Sequence, residues 1–484
     1  MQDAPARADL VFRDATLIDG SGADRVSGDL AVAGDRIVAI GDLGRTAGTD
    51  EIDARGLVLC PGFIDAHTHD DRALVETPDM SPKISQGVTS VVAGNCGISL
   101  APLTLDTWPP DPLHLLGDQT YYRFDTFGGF VAHFGAAPAA VNAGLLVGHT
   151  TLRHRHMTGR LDRPANDAEL ARMETDVAAA MAEGAIGLST GLDYAEAVEA
   201  PTEEVTALAQ AAGRRGGIYA SHTRDYFDDV EGAIDEAIGI AREARLPLVL
   251  SHHQVSGAAN FGRSKRTLAL IDDAMTRQEI GLDVYPYNAS SKTLDPQRCQ
   301  PGVRVLITWS DSQPAMAGRE IADIAAEWGC NAVEAAKRLV PAGAVYFQLD
   351  EADVQRILAY PRTMIGSDGL PYDAFPHPRL WGTFPRVLGH YARDLNLFTL
   401  EEAVHRMTGL PAATFGFADR GLLRIGSHAD LVLFDPDTIR DRATYTDPKQ
   451  PADGIHSVFV NGEAVWQAGR ETGARPGRVL HRTS

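Results

Sequence analysis

Short apolar strands alternate with amphipathic helices through the middle of this 484-residue chain, and that alternation limits the fold more than any other feature. Strand candidates end near Asp65, Asn95, Gly148, Thr190, Ser221, Ser251, Tyr285 and Ser367. Stretches of 3.6-residue periodicity lie between them. Leu170, Met173, Val177 and Ala180 lead up to Gly184, and Val230, Ile234, Ile238 and Ala241 lead up to Pro247. Eight such units over roughly 300 residues predict an α/β chain folded as a (β/α)8 barrel. The gap from Tyr285 to Ser367 is too long for one helix and its loops. It carries a further helical stretch at about 318–339, read as an inserted lid or subdomain.

Both ends of the chain read as strands. Leu10–Phe12, Thr16–Ile18, Leu30–Val32, Arg36–Ile40 and Leu57–Leu59 are short runs split by Gly and Asp turns. Near the other end, Asp430–Phe434 and Ser457–Val460 precede an Asn461-Gly462 hairpin turn and Glu463–Trp466. Neither end offers enough strands for a core of its own, so the two are expected to meet in one small sheet domain. The expected division is 1–61 and 416–484 for that domain and 62–415 for the barrel, with an insertion at about 288–350.

The net charge of −21 argues against a nucleic-acid partner or an anionic membrane. No apolar run approaches the ~18 residues that a membrane helix needs. Met1–Asp9 has no apolar core of a secretory leader. Four scattered cysteines (Cys60, Cys96, Cys299, Cys330) make no disulfide framework, so a reducing, cytoplasmic location is expected.

Active sites of such barrels gather at the C-terminal strand ends, so the polar residues there carry the functional reading. The first strand runs into Asp65-Ala66-His67-Thr68-His69. Two histidines at i and i+2 on an extended segment point the same way and can share a metal. The second ends in Asn95-Cys96-Gly97, the fifth in Ser221-His222, the sixth in Ser251-His252-His253 and the eighth in Ser367-Asp368-Gly369. A cysteine after a buried strand is usually inert, but at a barrel mouth its thiolate is a strong metal ligand. Asp368 can ligate metal or act as a general base. Convergence of these groups from five strands indicates a metal centre, and thiolate with imidazole selects zinc over magnesium or calcium. Of the five lysines (Lys83, Lys265, Lys292, Lys337, Lys449), none ends a barrel strand, so a carboxylated lysine bridging two metals is not expected.

The His-x-His after Gly62-Phe63-Ile64-Asp65, the later single histidines and the final Asp resemble the amidohydrolase superfamily. More narrowly, Gly87–Gly97, Thr363–Leu370 and His377–Phe384 resemble the D-aminoacylases (N-acyl-D-amino-acid deacylases). That resemblance runs from about Leu10 to Leu480. It implies a metal-binding barrel beside a small β-sandwich built from both termini, with a segment inserted after strand seven. It further implies a tight zinc site at Cys96, His222 and His252, and a weaker one at His67, His69, Cys96 and Asp368. Asp368 matches the family's acid/base, and Tyr194, Tyr285, Ser291 and Arg379 fall where the family holds the substrate's α-carboxylate.

Two departures are visible. The family commonly has a lysine after the His252-His253 pair, where this chain has Gln254. After His222 it commonly reads x-Arg-Asp/Asn-Glu, where this chain has Thr223-Arg224-Asp225-Tyr226. Exchanging an ammonium for an amide removes a charge-assisted hydrogen bond, about 1.5–3 kcal/mol. The resemblance thus implies zinc-dependent hydrolysis of N-acyl-D-amino acids, with a small-molecule substrate as the partner. The alternatives are another amidase or cyclic-amide hydrolase of the superfamily, and a non-catalytic scaffold. The former usually carries a lysine on strand four, and the latter tends to lose metal ligands.

Overall fold

Eight parallel strands form the centre of the computed structural model, which describes residues 8–44, 48–157, 159–300 and 302–483. Most of the Met1–Asp9 stretch inspected for a leader lies outside those residues. The strands are β1 (Phe63–Asp65), β2 (Val88–Ala93), β3 (Asn142–Gly148), β4 (Gly187–Gly191), β5 (Ile218–His222), β6 (Leu248–Leu250), β7 (Ile280–Val284) and β8 (Thr363–Ile365). They pair in that order. The ring closes where Ala66 N donates to Ile365 O at 3.1 Å and Asp368 N to His67 O at 2.8 Å. All eight are buried along their whole length, as parallel strands covered by helices must be. The helices follow the periodic stretches. Asp167–Ala182 buries Met173, Val177 and Ala180 behind an Asn166/Glu169 capping box, and Val230–Ala244 buries Ile234, Ile238 and Ala241.

The two ends of the chain interleave in one sheet. Leu431–Phe434 pairs antiparallel with Val58–Pro61, which lies parallel to Ala8–Leu17. Phe12 and Phe459 stand three strands apart in that sheet, about 14 Å if it were flat. Their rings nevertheless meet edge-on at 5.4 Å between centroids. The sheet therefore curls over its own apolar face, around Phe12, Leu30, Leu59, Leu431 and Phe459. One of its strands, Gly48–Asp53, is mostly exposed and acidic, so no apolar alternation marks it in the sequence.

Between β7 and β8 the chain builds a three-stranded antiparallel sheet, Ser290–Thr293, Ala342–Phe347 and Arg304–Ser310, with Ala342–Phe347 in the middle. The sequence reading saw only the helical part here, as one stretch. The structure splits it into Ile321–Trp328 and Ala332–Leu339, because Gly329 takes φ +65° and Asn331 caps a new helix start. The arginine-flanked His154 and His156 belong to the helix His149–His156. Arg153 there is fully buried, bound to Glu204 and to the carbonyls of Glu196, Leu161 and Arg163.

A buried polar lock joins barrel to terminal sheet. Asp430 accepts from Asn461 N (2.8 Å), from Asn142 Nδ2 on β3 (3.3 Å) and from Arg420. Asn461 Nδ2 in turn donates to Asn142 Oδ1 at 2.8 Å. Removing one partner of a buried pair leaves the other charge uncompensated, at about 3–5 kcal/mol. Asp430→Ala is therefore expected to lower the Tm by roughly 5 °C or more in a thermal melt, and an unchanged Tm would contradict the lock.

Candidate metal centre and substrate cavity

The donors converge at the C-terminal mouth of the barrel. Cys96 Sγ lies 3.3 Å from His67 Nε2 and 3.3 Å from His252 Nε2. Asp368 Oδ1 lies 3.2 Å from His69 Nε2 and 3.7 Å from His67 Nε2. Two sets of buried ligand atoms result, His67–Cys96–His252 and His67–His69–Asp368. His222 packs its ring 4.6 Å from that of His252, but its Nε2 faces Asp193 Oδ1 at 2.7 Å. Its Nδ1 is buried without a hydrogen-bond partner among the described residues. Tetrahedral bonds of 2.0–2.3 Å put neighbouring donors about 3.3–3.7 Å apart, so the Cys96 contacts match a shared zinc-sized cation.

Backbone conformation aims these groups. Cys96, His252 and Asp368 all take left-handed φ values, +53°, +34° and +47°. For residues with a Cβ this costs about 1–2 kcal/mol each, and such strain gathers where side chains must be turned into a site. Burial pushes the Cys96 thiol up, but His67, His252 and His222 outweigh it and hold it well below the ordinary thiol range. Burial likewise pushes Asp368 up, while Arg379, His252, His69 and His67 hold it well below the usual carboxylate range.

The remaining nitrogens of His67 and His252 face partners outside the donor set. His67 Nδ1 faces Asp283 Oδ2 at 3.4 Å, and Asp283 Oδ1 also accepts from His252 N at 2.9 Å. His252 Nδ1 meets Tyr226 OH at 3.2 Å. Such partners fix ring orientation and strengthen the ligand. His253 points elsewhere, to Thr267 Oγ1, and burial, with His252 beside it, lowers its pKa to about 4.

Above the donors opens a narrow pocket at the barrel mouth. Tyr194, Gln254, Tyr285 and Ser291 line it together with His69, Cys96 and Asp368. Tyr285 OH donates to Gln254 Oε1 at 2.7 Å. Arg379 is fully buried beside the cavity, its Nη1 2.8 Å from Asp368 Oδ2 and its guanidinium 4.5 Å from the Tyr285 ring centroid. Arg379 Nε and Ser291 Oγ have no hydrogen-bond partner among the described residues.

Sequence reasoning missed Asp193, Asp283, Tyr226, Lys292 and Arg298. Asp283 carried a signal, a carboxylate near the end of β7. Lys292 Nζ lies 2.7 Å and Arg298 Nη2 3.5 Å from Asp193 Oδ2, inside an insertion whose sheet was not read.

A family model described as "Amidohydrolase family" matches residues 50–287 and 300–466. A D-aminoacylase of Alcaligenes xylosoxydans xylosoxydans is 54% identical over 476 residues, 98% of each chain. An N-acyl-D-aspartate deacylase from the same organism is 50% identical over 99% of this chain and 96% of its own. The solved N-acyl-D-glutamate deacylase of Bordetella bronchiseptica, complexed with zinc and a phosphonate that mimics the tetrahedral intermediate, superposes with a TM-score of 0.95 at 45% identity. That match covers 98% of this chain and 99% of that one.

Asp193→Asn keeps the shape but removes the charge behind His222. Zinc affinity, measured by chelator competition, is expected to fall about 10–100-fold.

Proposed function

The chain belongs to the amidohydrolase family, and on that footing we propose that it hydrolyses the amide bond of N-acyl-D-amino acids, giving a carboxylate and a free D-amino acid. Cys96, His222 and His252 are the tight zinc ligands in this reading, and His67, His69, Cys96 and Asp368 the weaker set. Zinc held there supplies a Lewis acid that activates water and polarises the scissile carbonyl. Asp368 takes the proton from the attacking water and later delivers it to the leaving amine. Arg379, with Tyr285 and Ser291, grips the α-carboxylate, so that chirality at Cα decides whether the acyl group faces the metal. Tyr194 and Gln254 complete the substrate contacts.

The observation that carries this reading is the placement of one carboxylate between two environments. Asp368 reaches the histidine donors through Oδ1 and Arg379 through Oδ2, and it stays ionised although buried. A cyclic-amide hydrolase is less well supported, because β4 (Gly-Leu-Ser-Thr-Gly) offers no lysine to carry a bridging carboxylate. The cytoplasmic location belongs to the same proposal and is supported by four cysteines that are all unpaired. No helix among the described residues is long and apolar enough to cross a membrane.

The deciding experiment assays matched N-acetyl-D- and N-acetyl-L-amino acids alongside bound-metal analysis. Turnover of the D series by zinc-loaded protein is expected, and turnover of the L series alone would overturn the D assignment. Asp368→Asn should lose about 10²–10⁴ in kcat while the tight zinc stays bound. Gln254→Lys restores a cation beside Tyr285 and should lower KM about tenfold or more.

A further inference from the structure

Lys83 ends no strand, yet it is the charged side chain on which the mouth of the barrel closes. It sits in the short helix Ser81–Ile84 with 1% of its surface exposed. Its Nζ donates to Asp65 Oδ2 at 2.7 Å, Thr68 Oγ1 at 2.9 Å and Ser367 Oγ at 2.7 Å, which uses all three protons. Asp70 Oδ2 stands 3.3 Å away. Burial alone would drive the proton off, but Asp65 and Asp70 outweigh it and keep the ammonium charged.

Each of the three acceptors is a near neighbour in sequence of residues in the metal centre. Asp65 lies two residues before His67, Thr68 lies between His67 and His69, and Ser367 precedes Asp368. The same carboxylate also fixes Ser367 directly, because Asp65 accepts from Ser367 N at 2.8 Å and from Ser367 Oγ at 2.6 Å. Gly369 N donates to Ser367 Oγ at 3.1 Å. Asp368, pinned on both sides, is thereby held in its left-handed conformation. A buried ion pair is weak evidence of stabilisation, since apolar side chains often serve as well. What three fixed donors deliver and an apolar chain cannot is a fixed distance between the first and last strands.

We propose that Lys83 is a positioning residue for the reaction: through Asp65, Thr68 and Ser367 it holds His67, His69 and Asp368 in the mutual geometry that completes the weaker cation site and aims the Asp368 carboxylate. The effect on turnover rests on the hydrolase reading, whereas the effect on cation binding does not.

The test is Lys83→Met in the full chain, read by metal content, calorimetric titration of a second zinc, and steady-state kinetics. The tight zinc is expected to stay at wild-type stoichiometry. Second-zinc affinity should fall about tenfold or more, and kcat about 10²-fold with KM within threefold, as for a misplacement near 1 Å. A folded Lys83→Met protein with second-zinc affinity and kcat both within threefold of wild type would overturn the proposal. Should that variant fail to fold, Ser367→Ala keeps the Lys83–Asp65 pair and tests the same geometry. It should lose about tenfold in kcat and in second-zinc affinity, with rescue by Ser367→Thr, which keeps the hydroxyl. Wild-type behaviour of Ser367→Ala would also overturn the proposal. A wild-type protein that hydrolyses no N-acyl-D-amino acid would sink the function reading and leave the second-zinc measurement to decide this one.

Discussion

Cys96 Sγ within 3.3 Å of two imidazole nitrogens is a contact that an apolar core would not tolerate unless the groups share charge. Much of the molecule answers to that constraint. The imidazoles draw the proton off the thiol, Asp283 and Asp193 support the imidazoles from behind, and Lys83 compensates Asp65 and Asp70 beneath them. The left-handed backbones of Cys96, His252 and Asp368 are the conformational cost of the same arrangement.

The insertion after β7 gives the site its electrostatic character. A net charge of −21 would repel a carboxylate substrate if it were spread evenly. Instead Lys292 and Arg298, together with Arg379 from the helix after β8, bring three cations to the cavity against Asp193 and Asp368. Gln254 lines the same pocket and adds no charge to it. The insertion can hold its charged groups in place because it has its own core, around Ile307, Ile324, Leu339 and Tyr346.

Most of the barrel was legible from the chain. Strand ends at Asp65, Gly148, Ser221 and Ser367 fall within two residues of β1, β3, β5 and β8, because fully buried parallel strands are continuous apolar runs with abrupt polar ends. The pairing of both chain ends was legible for a similar reason, since neither offered strands enough alone. Gly48–Asp53 was not, because it is mostly exposed and acidic with no apolar alternation, and in the insertion the helical periodicity is a stronger signal than the short strands. The rim residues His67, His69, Cys96, His222, His252 and Asp368 could be named from strand ends. The full burial of Arg153 was not legible, since nothing local reveals it.

The sequence by itself determined that eight strands would close a ring and that imidazoles, a thiol and a carboxylate would stand at one end of it. Both follow from local periodicity, with side chains projecting where a strand ends. Only the tertiary structure decided which nitrogen of each imidazole faces inward, that Asp193 stands behind His222, and that Lys83 bridges Asp65 and Ser367, which lie 302 residues apart. Those are contacts between elements remote in the chain, made when the barrel closes, and no local pattern encodes them.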